Sequence, residues 1–157
     1  MTNATTVSIT EASAAATTDH WWEAVCGPLP RRVGRRLSHV GTDFVYVPGA
    51  VIVAEGSRAE RFSVILHGEV EVVVDGAVVA TLGPGEFFGE VALLYSRPAA
   101  PAAAPDALPR TATVRTTMAT RVRELDRAEL MTLMDAAPAA ASRISRRAIG
   151  RLAVMKA

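Results

Sequence analysis

The chain has 157 residues, half of them hydrophobic but only 5% aromatic, and a formal net charge of +1. That length predicts one domain with a sizeable, mainly aliphatic core, and the near-neutral charge gives no overall push towards nucleic acid or a membrane. A single cysteine, Cys26, excludes an intramolecular disulfide and a multi-cysteine zinc cluster. With no leader pattern and no apolar run of transmembrane length, the expected setting is soluble and cytoplasmic.

Residues 1–19 are rich in Thr, Ala and Ser without periodicity, which predicts a disordered tail. Trp21 and Trp22 follow as anchors pinning an N-terminal helical segment to the core. A stacking surface for a base or a partner protein is the alternative, but adjacent helix residues cannot both face one ligand. In RRVGRRLSHV, Val33, Leu37 and Val40 fall at helical spacing while Arg31, Arg32, Arg35 and Arg36 take the other face. No reading helix accompanies these arginines, so they are read as a solvated face and no direct DNA binding is expected.

From Thr42 the hydrophobic period changes to two. Phe44–Val47, Val51–Ala54 and Phe62–His67 read as strands separated by Pro48-Gly49 and Glu55-Gly56. The run EVEVVVDGAVVATL is a hairpin, because Asp75-Gly76 supplies the positive φ angles of a type I′ turn. With that turn, Val70, Val72 and Val74 share an inward face with Ala77, Val79 and Thr81. Val72 and Val79 are then opposed, as candidate wall for a bound base. Short strands with glycine corners, closed by Thr111–Thr116 and Arg121–Leu125, predict a β-barrel or jelly roll.

The stretch Gly83–Thr116 carries the chemistry. Gly83-Pro84-Gly85 is a turn, two phenylalanines lead to Gly89-Glu90, and Val91–Tyr95 continues as an apolar run. Gly89 lets the backbone approach a ligand, and a helical turn over 89–94 has unpaired N–H groups ready for an anion. Glu90 adds an acceptor-only carboxylate, and Arg110 a planar cation suited to phosphate oxygens. Together they provide what a sugar phosphate needs. The insertion AAPAAAPDALP at 99–109 is too proline-rich for a helix or a central strand and is read as a loop bulging from the site, with a flap over the site as the alternative. It also makes Arg97 a rival to Arg110.

Beyond the strands, Asp126 and Glu129 mark a helix start, with Leu130, Leu133 and Met134 on one face. Pro138 opens a second helix. Its stripe of Ile144, Ala148, Leu152 and Met155 is read as a ligand-responsive lid hinged at Pro138, with a homodimer through the same stripe as the alternative.

FGEVALL followed by RTATV resembles the phosphate-binding cassette of the cyclic nucleotide-binding domain. PGAVIVAEG, FSVILHGEVEVVVDG and ATLGPGEFFGE match that family's strand-and-turn pattern in order, so the resemblance runs from about Pro30 to Met155. It implies a mainly β fold with flanking α: a cyclic nucleotide-binding jelly-roll β-barrel with an N-terminal helical segment and two C-terminal helices. The implied organisation is a tail over 1–19, helical segment and barrel over 20–125, and C-terminal helices over 126–157. By the same resemblance, Glu90 takes the ribose 2′-hydroxyl, and Arg110 holds the cyclic phosphate with the backbone of Gly89 and Ala92 and the Thr111 hydroxyl.

The implied function is non-enzymatic binding of cyclic AMP or cyclic GMP, with an effector protein the sequence does not identify and no cofactor. Thr111 keeps cyclic GMP open, since relatives selective for it often carry a threonine there. An interaction module with a vestigial pocket is the second reading. A cupin-like metalloenzyme is the third, poorly served by His20, His39 and His67, which lie far apart along the chain.

Overall fold

The computed structural model describes residues 6–8, 21–54, 61–89 and 112–156. In chain order the elements are β1 (Thr6–Ser8), α1 (Glu23–Cys26), α2 (Arg31–Leu37), β2 (Thr42–Tyr46), β3 (Val51–Val53), β4 (Phe62–His67), β5 (Val70–Val74), β6 (Ala77–Leu82), β7 (Phe87–Phe88), β8 (Thr113–Thr116), β9 (Thr120–Leu125), α3 (Arg127–Ala136) and α4 (Pro138–Lys156). β1, within the stretch read as a tail, pairs antiparallel with β2 through Thr6–Tyr46 to Ser8–Phe44.

The strands form a five-stranded sheet in the order β1-β2-β9-β4-β7 and a four-stranded sheet in the order β3-β8-β5-β6. The expected jelly-roll barrel is therefore corrected. The fold is mixed α/β, with two antiparallel sheets and flanking helices, and no sheet closes. Closure needs the terminal strands of a sheet to pair around a common axis. Here β6 pairs with β5, and the two-residue β7 pairs with β4, so each stands at the end of its sheet. Short glycine-cornered strands serve two stacked sheets as readily as a barrel, so the sequence pattern did not separate them.

Alternation along the central strands sorts the core into two layers. Phe62 and Val64 of β4, Phe87 of β7 and Leu125 of β9 join the helix-side cluster. Ile65, Phe88 and Val122 of the same strands join Tyr46, Val70, Leu82 and Val114 between the sheets. The five-stranded sheet is thus covered on both faces.

Local chemistry explains the helical layer. Trp21 and Trp22 are 2% and 4% exposed, and the Trp21 indole N–H donates to the Leu37 carbonyl at 2.8 Å. A Cβ on Gly34 would stand 2.7 Å from Trp22 Cζ2, so α2 packs this closely only because glycine is there. Asp126 and Glu129 form the expected capping box of α3, in which the Glu129 N–H donates to Asp126 Oδ1 at 2.8 Å. Glu129 Oε2 also accepts the Gly41 N–H at 2.7 Å, tying the start of α3 to the start of β2.

Candidate functional site

The space between the sheets is the candidate ligand region, because the chain leaves one sheet and re-enters the other beside it. β7 ends at Phe88, whose side chain lies in the inter-sheet cluster, and Gly89 follows at φ +93°, a conformation that favours glycine. The chain next described, β8, lies in the other sheet, with Thr113 paired to Val73 and Val114 to Val72 of β5. β7 and β8, the described strands on either side of residues 90–111, therefore belong to different sheets. Glu90, Ala92, Arg97, the insertion 99–109, Arg110 and Thr111 lie outside the described residues.

Of the remaining expected site residues, Val72 packs partly buried against the inter-sheet cluster. The hairpin turns at Asp75 (φ +51°) and Gly76 (φ +81°), as the Asp-Gly pair predicts. The expected opposition of Val72 and Val79 does not hold. The register shifts between Val72 and Val73, so Val72 faces Ala80 and Val73 faces Val78. Val79 is the extra residue of a bulge, which a pattern strictly of period two cannot reveal. It is 59% exposed.

Sequence reading missed the polar groups that brace this framework. Arg123 of β9 forms a buried ion pair with Asp43 of β2. Its guanidinium also donates to the Val40 carbonyl at 3.1 Å and lies 5.4 Å from the Trp21 ring centroid. One side chain thus ties the sheet to the N-terminal helical segment. Burial holds the Asp43 carboxyl above its ordinary 3.8, opposed by the charge and hydrogen bond of Arg123. A signal existed: Arg123 alternates with Leu125, so a charge stood at a core-facing position of a predicted strand. On the opposite face of β9, the Tyr46 hydroxyl donates to Glu124 at 2.5 Å and Arg61 stands 3.5 Å away.

The first turns of the C-terminal helix pack on the core. Ala140 and Ile144 are fully buried in the cluster that holds Phe62 and Phe87. Arg143 lies 5.9 Å from the Phe87 ring centroid, and Arg147 reaches Glu86 at 3.6 Å. The side chains of Ala148, Leu152 and Met155 lie outside the described residues. Burial pushes the Cys26 thiol up to about 11, against the lowering effect of Arg143, so the thiol is a poor nucleophile at neutral pH. His39 and His67 are exposed and His20 lies outside the described residues. Among the described residues no three His, Cys, Asp or Glu side chains gather as a metal site, and no helix is long and apolar enough to cross a membrane.

Comparison with known proteins places this geometry. The family model described as "Cyclic nucleotide-binding domain" matches residues 44–137. A cAMP-dependent protein kinase regulatory subunit of Yarrowia lipolytica is 42% identical over 65 residues, covering 40% of this chain and 17% of that protein. A cGMP-dependent protein kinase of Toxoplasma gondii is 43% identical over 53 residues, covering 34% of this chain and 5% of that protein. The match spans less than a fifth of these curated relatives. Among solved structures, PKAR CBD2 bound to Sp-2Cl-cAMPS superposes with a TM-score of 0.69 at 21% identity, covering 89% of this chain and 86% of that one. A cyclic nucleotide-binding domain from Methylobacillus flagellatus KT gives 0.65 at 21% identity, covering 96% and 80%.

Proposed function

Since the chain belongs to the cyclic nucleotide-binding domain family, we propose that it is a non-enzymatic regulatory module that binds cyclic AMP or cyclic GMP between its two sheets. The carrying observation is the family match over residues 44–137, which contains β7, Gly89 and the FGEVALL and RTATV runs. The positive φ of Gly89 and the placement of β7 and β8 in different sheets support the location.

Glu90 takes the ribose 2′-hydroxyl in this reading. Arg110, with the Gly89 and Ala92 backbone and the Thr111 hydroxyl, holds the cyclic phosphate, and Val72 borders the base. Arg110 is preferred over Arg97 because it opens the RTATV run that continues into β8, whereas Arg97 precedes Pro98, which has no N–H to offer. The nucleotide signal passes through β7 to α4, whose Arg147 already contacts Glu86. The responding part of α4 lies beyond Ile144, since the proximal half is held in the core. The readout is an effector protein or a second copy of the chain.

Isothermal titration with both cyclic nucleotides tests this reading. Glu90→Gln weakens binding about tenfold or more, from the loss of a charge-assisted bond worth roughly 1.5–3 kcal/mol. Binding of a 2′-deoxy analogue is affected far less by that change. Arg110→Ala costs ~2–5 kcal/mol, about thirtyfold or more, while Arg97→Ala has a small, salt-screened effect. The reverse ranking moves the phosphate site to Arg97. Absence of saturable binding for either nucleotide leaves an interaction module with a vestigial pocket.

A further inference from the structure

We infer that the groove between α4 and the turn leading into β7 is a second ligand site, for a small anion carrying two linked phosphate or carboxylate groups. The groove has a volume of about 490 Å³, with Glu86 and Phe87 on one wall and Ser142, Arg143, Arg146 and Arg147 of α4 on the other. That volume is in the range of small-molecule sites, roughly 300–1,000 Å³.

The charge here is concentrated rather than general. Among the described residues, three guanidiniums line the groove against one carboxylate, Glu86, although the whole chain carries only +1. Positions 143, 146 and 147 stand three and four residues apart and so share one helix face, where like charges repel. A bound polyanion relieves that repulsion. Glu86 pairs with Arg147 at 3.6 Å. Arg143 is held over the buried Phe87 ring at 5.9 Å from its centroid, so part of its ordering is complete before a ligand arrives. Two linked anionic groups engage two guanidiniums of this row at once, with the exposed Ser142 hydroxyl as a further donor.

The groove is distinct from the inter-sheet region. Phe87 turns to the helix-side cluster and Phe88 to the inter-sheet cluster, so the sheet stands between the two. An anion in the groove competes with Glu86 for Arg147 and so acts on the contact between α4 and the start of β7.

Pyrophosphate is the probe, titrated calorimetrically into the full chain at fixed ionic strength. The wild-type protein binds one equivalent saturably. Arg143→Ala with Arg146→Ala weakens binding about tenfold or more, through lost charge-assisted contacts. Glu86→Gln, which removes the competing carboxylate, tightens it. Arg110→Ala leaves it within about twofold, which separates the groove from the cassette. If the double variant loses its fold by circular dichroism, Arg146→Ala alone, at an exposed position, carries the test with a smaller loss. Three results overturn the proposal: no saturable binding by the wild type, loss of binding in Arg110→Ala with retention in the α4 variants, or binding of an acidic peptide where pyrophosphate does not bind.

Discussion

Replacing Ile144 by alanine tests whether the first half of α4 belongs to the core. Ile144 is fully buried, in a cluster with Phe62, Phe87, Leu130 and Leu133. Truncation removes buried methyl and methylene groups and leaves a cavity where packing cannot fully collapse, at a cost of ~2–5 kcal/mol. A domain of this size loses roughly 2–4 °C of melting temperature per kcal/mol, so Tm falls by about 4–20 °C. The assay is thermal and urea unfolding followed by circular dichroism, with Arg146→Ala as the exposed-face control expected within about 0.5 kcal/mol. A loss below about 1 kcal/mol for Ile144→Ala would refute the reasoning: the helix would then be loosely seated, and a swing at Pro138 would return as the mechanism. Amide exchange with and without nucleotide adds the functional half. Protection should stay constant around Ile144 and change beyond it.

Gly34→Ala brings a Cβ to within 2.7 Å of the Trp22 ring, so α2 or the tryptophan must shift. Overpacking of this kind costs about 1–3 kcal/mol despite the better helix propensity of alanine, and denaturant midpoints check it. Asp43→Asn should alter the pH dependence of stability. Because the folded-state pKa of Asp43 is raised above 3.8, the native state holds that proton more tightly than the unfolded chain does. Its stabilising contribution is complete below 3.8 and is lost as pH rises through the raised value. The wild type therefore gains on the variant towards acid over that window, and parallel unfolding-versus-pH curves for the two proteins would contradict the assignment. Arg123→Ala leaves Asp43 buried without its partner and costs roughly 3–5 kcal/mol, measured by the same unfolding experiments.

Features that depend on a few neighbouring residues were legible in the sequence. The Asp75-Gly76 turn needs positive φ at adjacent positions, and the Asp126–Glu129 capping box closes within one helical turn. The ordered run of glycine-punctuated blocks identified the family, because turns and close backbone approaches leave their mark in single residues. Tertiary structure decided what depends on residues far apart in the chain. The bulge that pairs Val72 with Ala80 breaks strict alternation, and alternation was the only guide the sequence offered there. Open sheets and a closed barrel share strand lengths and turns; which strands meet at the edges separates them. Arg123 could be seen as a charge on an apolar face, but its partner Asp43 lies on another strand, and the register of β2 on β9 alone brings the two together. The burial of Ile144 is likewise a long-range result, since a helical stripe declares an apolar face while only the packed sheet and helices determine how much of that face is covered.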